Sequence, residues 1–292
     1  MKNNMKKICI TGTGGFIASH LIEVCHSLGY KVIGIQRHIG QVIEGKDDIK
    51  PDILYLGDIR DKNLVEKAVS ISDGVINLAG ILGTQETINN PYPSVEVNII
   101  GALNVLEAVK HYKIPMVQIA VGNWFENNSY SITKTTAERF TLMYAKEHKV
   151  KANVVRAFNA FGERQKWYPV RKMMPFFIMR ALRNEPIEIY GTGEQIMDFV
   201  YVKDVAHILI KVLFNNEYGK IYEAGTGKKI TVKEWAKKVI KYSGSKSKIV
   251  YLPMRPGESP KAEVYAKNPY PFNYSDVDGK LKQVIEWYKK NI

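Results

Sequence analysis

The sequence predicts an α/β protein, a doubly wound parallel sheet followed by a smaller α/β part, and three observations predict it. Short apolar runs alternate with helical patterns through the first 160 or so residues, without an internal repeat or low-complexity segment. Runs such as Ile8, Cys9, Ile10 are apolar at successive positions, as in strands buried on both faces. The first of these runs ends in Gly12, Gly14 and Gly15 and passes directly into a helical pattern.

That opening has the spacing Gly12-x-x-Gly15-x-x-Ala18, followed by apolar residues at 17, 18, 21, 24, 25 and 28. Glycines remove the side chains that would keep a backbone away from a pyrophosphate, and a helix starting at Phe16 and Ile17 would aim free amides and a positive dipole end at it. A second strand over 30–35 ends at Gln36, Arg37 and His38, where a dinucleotide site reads the adenosine ribose. No carboxylate stands there to repel a 2′-phosphate, and Arg37 is suited to pair with one, so NADP(H) is favoured over NAD(H).

A third strand over 53–56 leads to Asp58 and Ile59, on the adenine side of such a site, and Asp61 caps a helix running to Val69. The fourth strand, 74–78, runs through Leu78 into Ala79 and Gly80, small residues past which a cofactor can lie closely. A helix over 92–111 carries Asn98 on an otherwise apolar face, where a buried amide needs partners, and Asn98 is grouped with the cofactor residues. The fifth strand spans 116–121. After it, Tyr130 and Lys134 lie four residues apart and project from one helix face. A tyrosine ionises near pH 10 in water (about 10), but an adjacent ammonium and a cationic nicotinamide both favour phenolate, which makes Tyr130 an acid/base near neutrality.

Composition limits the alternatives. The 292 residues are 45% hydrophobic and 24% charged, ordinary for a soluble globular protein, and no apolar run reaches the ~18–20 residues of a membrane span. A cytoplasmic location is expected, with no membrane partner. Cys9 and Cys25 fall in the first strand and first helix as small buried residues, and no metal-ligand spacing occurs, so no metal site is expected. The net charge of +13 raises nucleic acid as a partner. The excess lysines, however, are spread along helical stretches such as Lys233, Lys237, Lys238 and Lys241, without interleaved aromatics. A solvated face that steers an anionic small molecule is the better reading.

The motifs in order resemble the extended short-chain dehydrogenase/reductases, in particular the NAD-dependent epimerase/dehydratase family acting on nucleotide sugars. The resemblance runs from the glycine turn through Gly57-Asp58, Asn77 to Ala79, Val97-Asn98 and Tyr130-x-x-x-Lys134. It continues through Arg156 to Gly162, Ile189 to Gly193, Asp198 to Asp204, Arg255 to Glu258 and the closing Ile285 to Tyr288. It implies a Rossmann domain over 1–165 and a mainly substrate-binding domain over 166–292, with chain near 187–215 returning to the first. It also implies Tyr130 as acid/base, Lys134 on the nicotinamide ribose, Phe158 beside the nicotinamide, Asn159 and Arg255 on the substrate diphosphate, and a homodimer through helices near 92–111 and 130–148.

Two departures from the family pattern stand out. The serine or threonine that follows the fifth strand in the family is replaced by Ala120-Val121-Gly122-Asn123, leaving Asn123, Ser129 or Thr84 to contact the sugar oxygen. A phosphate-binding arginine is replaced by Met197, leaving Arg255, Arg164, Arg171 or Lys172 to supply charge. The Thr-Asp-Glu of the 4,6-dehydratases is absent, which counts against dehydration. Within the family, the absence of an acid at Gln36 slightly favours a 4-ketoreductase using exchanged NADPH, with a 4-epimerase as the alternative. A nonenzymatic dinucleotide-binding protein is the competing class, disfavoured because a binder has no need of Tyr130.

Overall fold

The computed structural model describes residues 5–38 and 49–291. Seven strands form one wholly parallel sheet: β1 (Lys7–Thr11), β2 (Lys31–Gln36), β3 (Ile53–Leu56), β4 (Gly74–Asn77), β5 (Met116–Val121), β6 (Ala152–Ala157) and, much later in the chain, β11 (Ile221–Ala224). Their spatial order is β3-β2-β1-β4-β5-β6-β11, so the winding reverses between β1 and β4. In such a sheet the strand ends at the reversal splay into a crevice that takes ligands.

Alternation along the strands explains the layers. On β1, Ile8 and Ile10 pack toward α1 (Phe16–Ser27) and a later helix, α7 (Val202–Leu213), whereas Cys9 packs on the opposite face against α2 (Lys62–Ser70) and α4 (Ala102–Tyr112). Each isoleucine side chain buried in this way contributes about 1.5–3 kcal/mol. Burial also pushes the Cys9 and Cys25 thiols up to about 12, which leaves both unreactive. Asp61 accepts from the amides of Asn63 (2.9 Å) and Leu64 (3.2 Å) and so starts α2.

The helix expected over 92–111 is present but is not α-helical throughout. A short α3 (Tyr92–Val95) opens into a wider π turn over Glu96–Gly101 before α4 begins. Asn98 sits in that wide turn, where its amide meets groups outside the helix. Next, α5 (Ser129–Glu147) follows β5 and covers the same face of the sheet.

Beyond β6 and β7 (Asn159–Phe161), the chain builds a second core from α6 (Met173–Leu182), α8 (Val232–Ser243) and α9 (Val277–Lys290), centred on Phe161, Phe177, Trp235 and Leu281. Three short parallel pairs frame it: β8 (Ile187–Tyr190) with β12 (Ile249–Leu252), β9 (Ile196–Met197) with β13 (Glu263–Val264), and β10 (Phe199–Tyr201) with β7. The chain rejoins the large sheet through α7 and β11, whereas β8, near the start of the 187–215 return expected from the sequence, stays in the smaller part. Among the described residues no helix is long and apolar enough to cross a membrane, and no group of three or more His, Cys, Asp or Glu is placed to hold a metal.

Candidate active site

A cleft of about 670 Å³ opens at the C-terminal ends of β1 and β4 and extends to the second core. Gly12 follows β1 with φ +71°, a left-handed conformation, and a Cβ there would stand 3.0 Å from Ala79 Cα. The two strand ends therefore touch through glycine. Gly15 precedes α1, no side chain caps that helix, and Phe16 and Ile17 line the cleft. Uncapped first-turn amides beside a surface stripped of Cβ atoms fit a dinucleotide pyrophosphate. At the end of β2, buried Gln36 accepts from Thr13 Oγ1 (3.0 Å) and donates to the His38 carbonyl (2.9 Å). Arg37 is 43% exposed, and its Nε is 3.9 Å from Asp58 Oδ2. Burial raises the Asp58 carboxyl, but hydrogen bonds and charge from Arg60, with Arg37 behind, hold it below its ordinary value.

Tyr130 and Lys134 project from the first turns of α5, which Asn128 caps by accepting from the Ser131 amide at 2.9 Å. Lys134 is buried, and its Nζ lies 3.7 Å from the place a Gly80 Cβ would occupy, an ordinary contact distance, whereas Asn98 Oδ1 would stand 3.0 Å from that Cβ. Burial moves both groups toward their neutral forms, the lysine down to about 8 and the tyrosine up to about 12. The lowered tyrosine expected from Lys134 is thus not what the protein alone produces, because removal from water raises it. A bound oxidised nicotinamide would supply the positive ring that favours phenolate.

The candidate residues from the sequence line this cleft except Asn98 and Ser129, and the Ser129 hydroxyl donates instead to the Thr87 carbonyl at 3.0 Å. The Asn98 amide instead accepts from the Ile81 amide (2.8 Å) and donates to the Ile81 carbonyl (3.2 Å) and Thr133 Oγ1 (2.9 Å). It ties the loop after β4 to α5, a positioning role. Ile59, Leu78, Ala79 and Gly80 line the cofactor side, and the Ala79 amide is fixed by Thr11 Oγ1 at 3.0 Å. Phe158 packs so tightly on Gly122 that a Cβ there would lie 2.6 Å from its ring.

Three loops close the other end. Thr84 donates to Glu258 (3.2 Å), Asn128 Nδ2 to the Gly257 carbonyl (3.3 Å), and Asn123 Nδ2 to Glu126 (3.3 Å). The arginines expected to hold phosphate have protein partners. Arg255 forks onto Glu258 and lies 4.7 Å over the Tyr190 ring, while Arg164 pairs with Glu23 at 3.0 Å. Asn159 Nδ2 leans on the Asp198 carbonyl at 3.3 Å. Two further lining residues flank the Tyr130 end, and of these Glu126 carries no sequence signal of its own. Glu126 sits in an aperiodic loop, and Lys172, at the start of α6, has its ammonium 6.0 Å from the centre of the Tyr130 ring.

Behind the floor, α1 is pinned by a buried polar network. His20 Nε2 lies 2.9 Å from the Glu163 carbonyl. A carbonyl can only accept, so Nε2 carries the hydrogen and Nδ1 is left as an unpartnered lone pair. The Glu163 carboxylate receives Tyr201 OH (3.0 Å) and Gln283 Nε2 (2.8 Å), linking α1 to α9. Burial, then the Arg164 charge, push the His20 pKa down to about 4.

The model of the NAD dependent epimerase/dehydratase family matches residues 8–225, from β1 to just beyond β11. The chain belongs to this family. A putative UDP-glucose 4-epimerase of Methanocaldococcus jannaschii is 28% identical over 307 aligned positions, covering 97% of this chain and 99% of the relative. A UDP-N-acetyl-alpha-D-glucosaminuronate decarboxylase of Bacillus cytotoxicus is also 28% identical, covering 98% and 99%. The crystal structure of the Thermotoga maritima UDP-glucose 4-epimerase with UDP-glucose superposes with a TM-score of 0.87 at 26% identity, covering 98% of this chain and 99% of that one. The chain is therefore a member of a family of NAD-dependent nucleotide-sugar enzymes, and the expected fold class and resemblance hold.

Proposed function

We propose that this enzyme oxidises and re-reduces a nucleotide sugar at C4 of its hexosyl group, acting as a 4-epimerase. The observation that carries the reading is the placement of Tyr130 and Lys134 on one face of α5, at the wall of a cleft whose floor is the uncapped start of α1. Bound nicotinamide supplies the hydride acceptor and donor. Tyr130 takes the hydroxyl proton as the C4 hydride leaves, and returns it when hydride comes back to the other face of the ketone. Lys134 holds the ribose hydroxyls and keeps a positive charge beside the tyrosine. Asn159, Arg255 and Lys172 serve the diphosphate, and Thr84 and Asn123 the sugar. Large-sheet residues thus form a cofactor domain and the second core a substrate domain.

The epimerase reading draws on relatives of that name aligned over nearly the whole chain. A second reading, a 4-ketoreductase consuming NADPH, is favoured by exposed Arg37. The nearby Asp58 carboxylate shares that charge, and this places the reductase second. Mass spectrometry of the native protein for retained cofactor, combined with turnover of UDP-glucose and UDP-galactose, tests both. Retained NAD with isomer interconversion and a loss of at least about a hundredfold in Tyr130→Phe is expected. Stoichiometric NADPH consumption with a 4-keto sugar would establish the reductase instead, and unchanged turnover in Tyr130→Phe would refute the acid/base assignment. Exposed Tyr92, Ile100 and Ile132 on the 92–112 helical segment and α5 support a homodimer through that face.

A further inference from the structure

We infer that Glu126 makes this site select nucleotide sugars whose hexosyl group bears no carboxylate, an inference that rests on the nucleotide-sugar reading above. The family leaves the choice open, since its relatives are named for a neutral sugar and for a uronic acid. Glu126 lies between Asn123 and Tyr130, in the loop joining β5 to α5, and lines the cleft together with both. It is held there. Its Oε2 accepts from Asn123 Nδ2 at 3.3 Å and from Asn128 Nδ2 at 3.2 Å, and Asn128 is fixed in turn as the cap of α5. Two amide donors on one oxygen orient the carboxyl and keep it from swinging out to solvent.

The surrounding charge gives this placement its consequence. Burial raises the Glu126 carboxyl above its ordinary value and the Glu258 charge adds to this, while the hydrogen bonds from Asn123, the Ser259 backbone and Asn128 favour the carboxylate. Arg255, which also lines the cleft, is engaged by Glu258 through a forked pair. The Lys172 ammonium sits in the field of Glu86 and Glu258. A carboxylate on the sugar would therefore meet Glu126 with the local cations already matched. Hydroxyls, by contrast, can donate to the carboxylate. As a scale, two carboxylates about 7 Å apart at an effective dielectric near 20 would repel by an amount equivalent to on the order of fiftyfold in affinity.

The test is calorimetric titration of UDP-glucose and UDP-glucuronate into the wild type and Glu126→Gln, which needs no turnover. Glutamine keeps a carbonyl oxygen for both asparagine bonds, so the loop and the α5 cap persist, and an unchanged thermal midpoint verifies this. The wild type is expected to prefer UDP-glucose by on the order of fiftyfold, and Glu126→Gln to bring the two ligands within about threefold, mostly through tighter UDP-glucuronate. Equal affinities in the wild type, or an undiminished preference in the variant, would overturn the inference and leave the nucleotide-sugar reading standing. If the wild type binds neither ligand, the nucleotide-sugar reading falls and the inference falls with it.

Discussion

Acidification from pH 7 to pH 5 should weaken this fold through one imidazole. His20 is fully buried on α1, with its one hydrogen directed at the Glu163 carbonyl and its pKa pushed down to about 4. In the unfolded chain the same group titrates near its ordinary value of 6.5. Below 6.5 the unfolded chain takes up a proton that the folded chain refuses, so this contribution is intact above 6.5 and is lost progressively as pH falls toward 4. The difference amounts to about 2 kcal/mol at pH 5 relative to pH 7, and about 3 kcal/mol once pH is below both values. For a chain of this length, about 2 kcal/mol lowers the melting midpoint by roughly 4 °C. The assay is differential: melting midpoints of the wild type and His20→Gln at pH 7 and pH 5. Glutamine offers the carbonyl a donor but does not titrate. The variant is expected to start lower, because it loses the edge contact with the Phe16 ring at 5.5 Å, and to lose roughly 4 °C less than the wild type on acidification. Equal losses in both proteins would show that His20 is not the group that couples.

Gly12→Ala would force a side chain into a left-handed conformation and within 3.0 Å of the Ala79 backbone, so a loss of about 1–2 kcal/mol in stability and at least about tenfold weaker cofactor binding are expected by melting and titration. Lys134 carries its charge only below about 8, so kcat/KM should fall as pH rises through that value; Lys134→Arg, if it retains activity, should lack that alkaline limb. Arg37→Ala should weaken NADP(H) by about tenfold while leaving NAD(H) within about twofold, and equal losses for both would remove Arg37 from phosphate reading.

Most strands of the large sheet were legible because a strand buried on both faces must be mainly apolar, as the runs around Ile8, Ile33, Ile76 and Val117 are, with buried Asn77 and Gln118 pairing with each other at 2.8 Å. Glycine spacing located the floor for a similar reason, since few residues other than glycine tolerate the geometry at Gly12. The π turn was not legible, because one widened turn leaves the apolar spacing of a helix almost unchanged and moves only the direction of Asn98. Partners distant in sequence were equally hidden: nothing near Arg164 announces Glu23, and a short segment such as Ile221–Ala224 gives no sign that it completes a sheet begun far upstream. The direction of the Tyr130 pKa depended on how deeply the group is buried, which a motif does not encode.

The late arrival of β11 has a consequence for how the chain is made. Until Ile221–Ala224 has been synthesised, the outer edge of β6 presents unpaired amides and carbonyls along Ala152–Ala157. Translation of the intervening stretch, at about 5–20 residues per second, leaves that edge open for on the order of ten seconds on each nascent chain. A newborn molecule therefore passes through a period in which its largest sheet can be extended by any passing strand, and ribosome stalling between β6 and β11 would prolong that exposure.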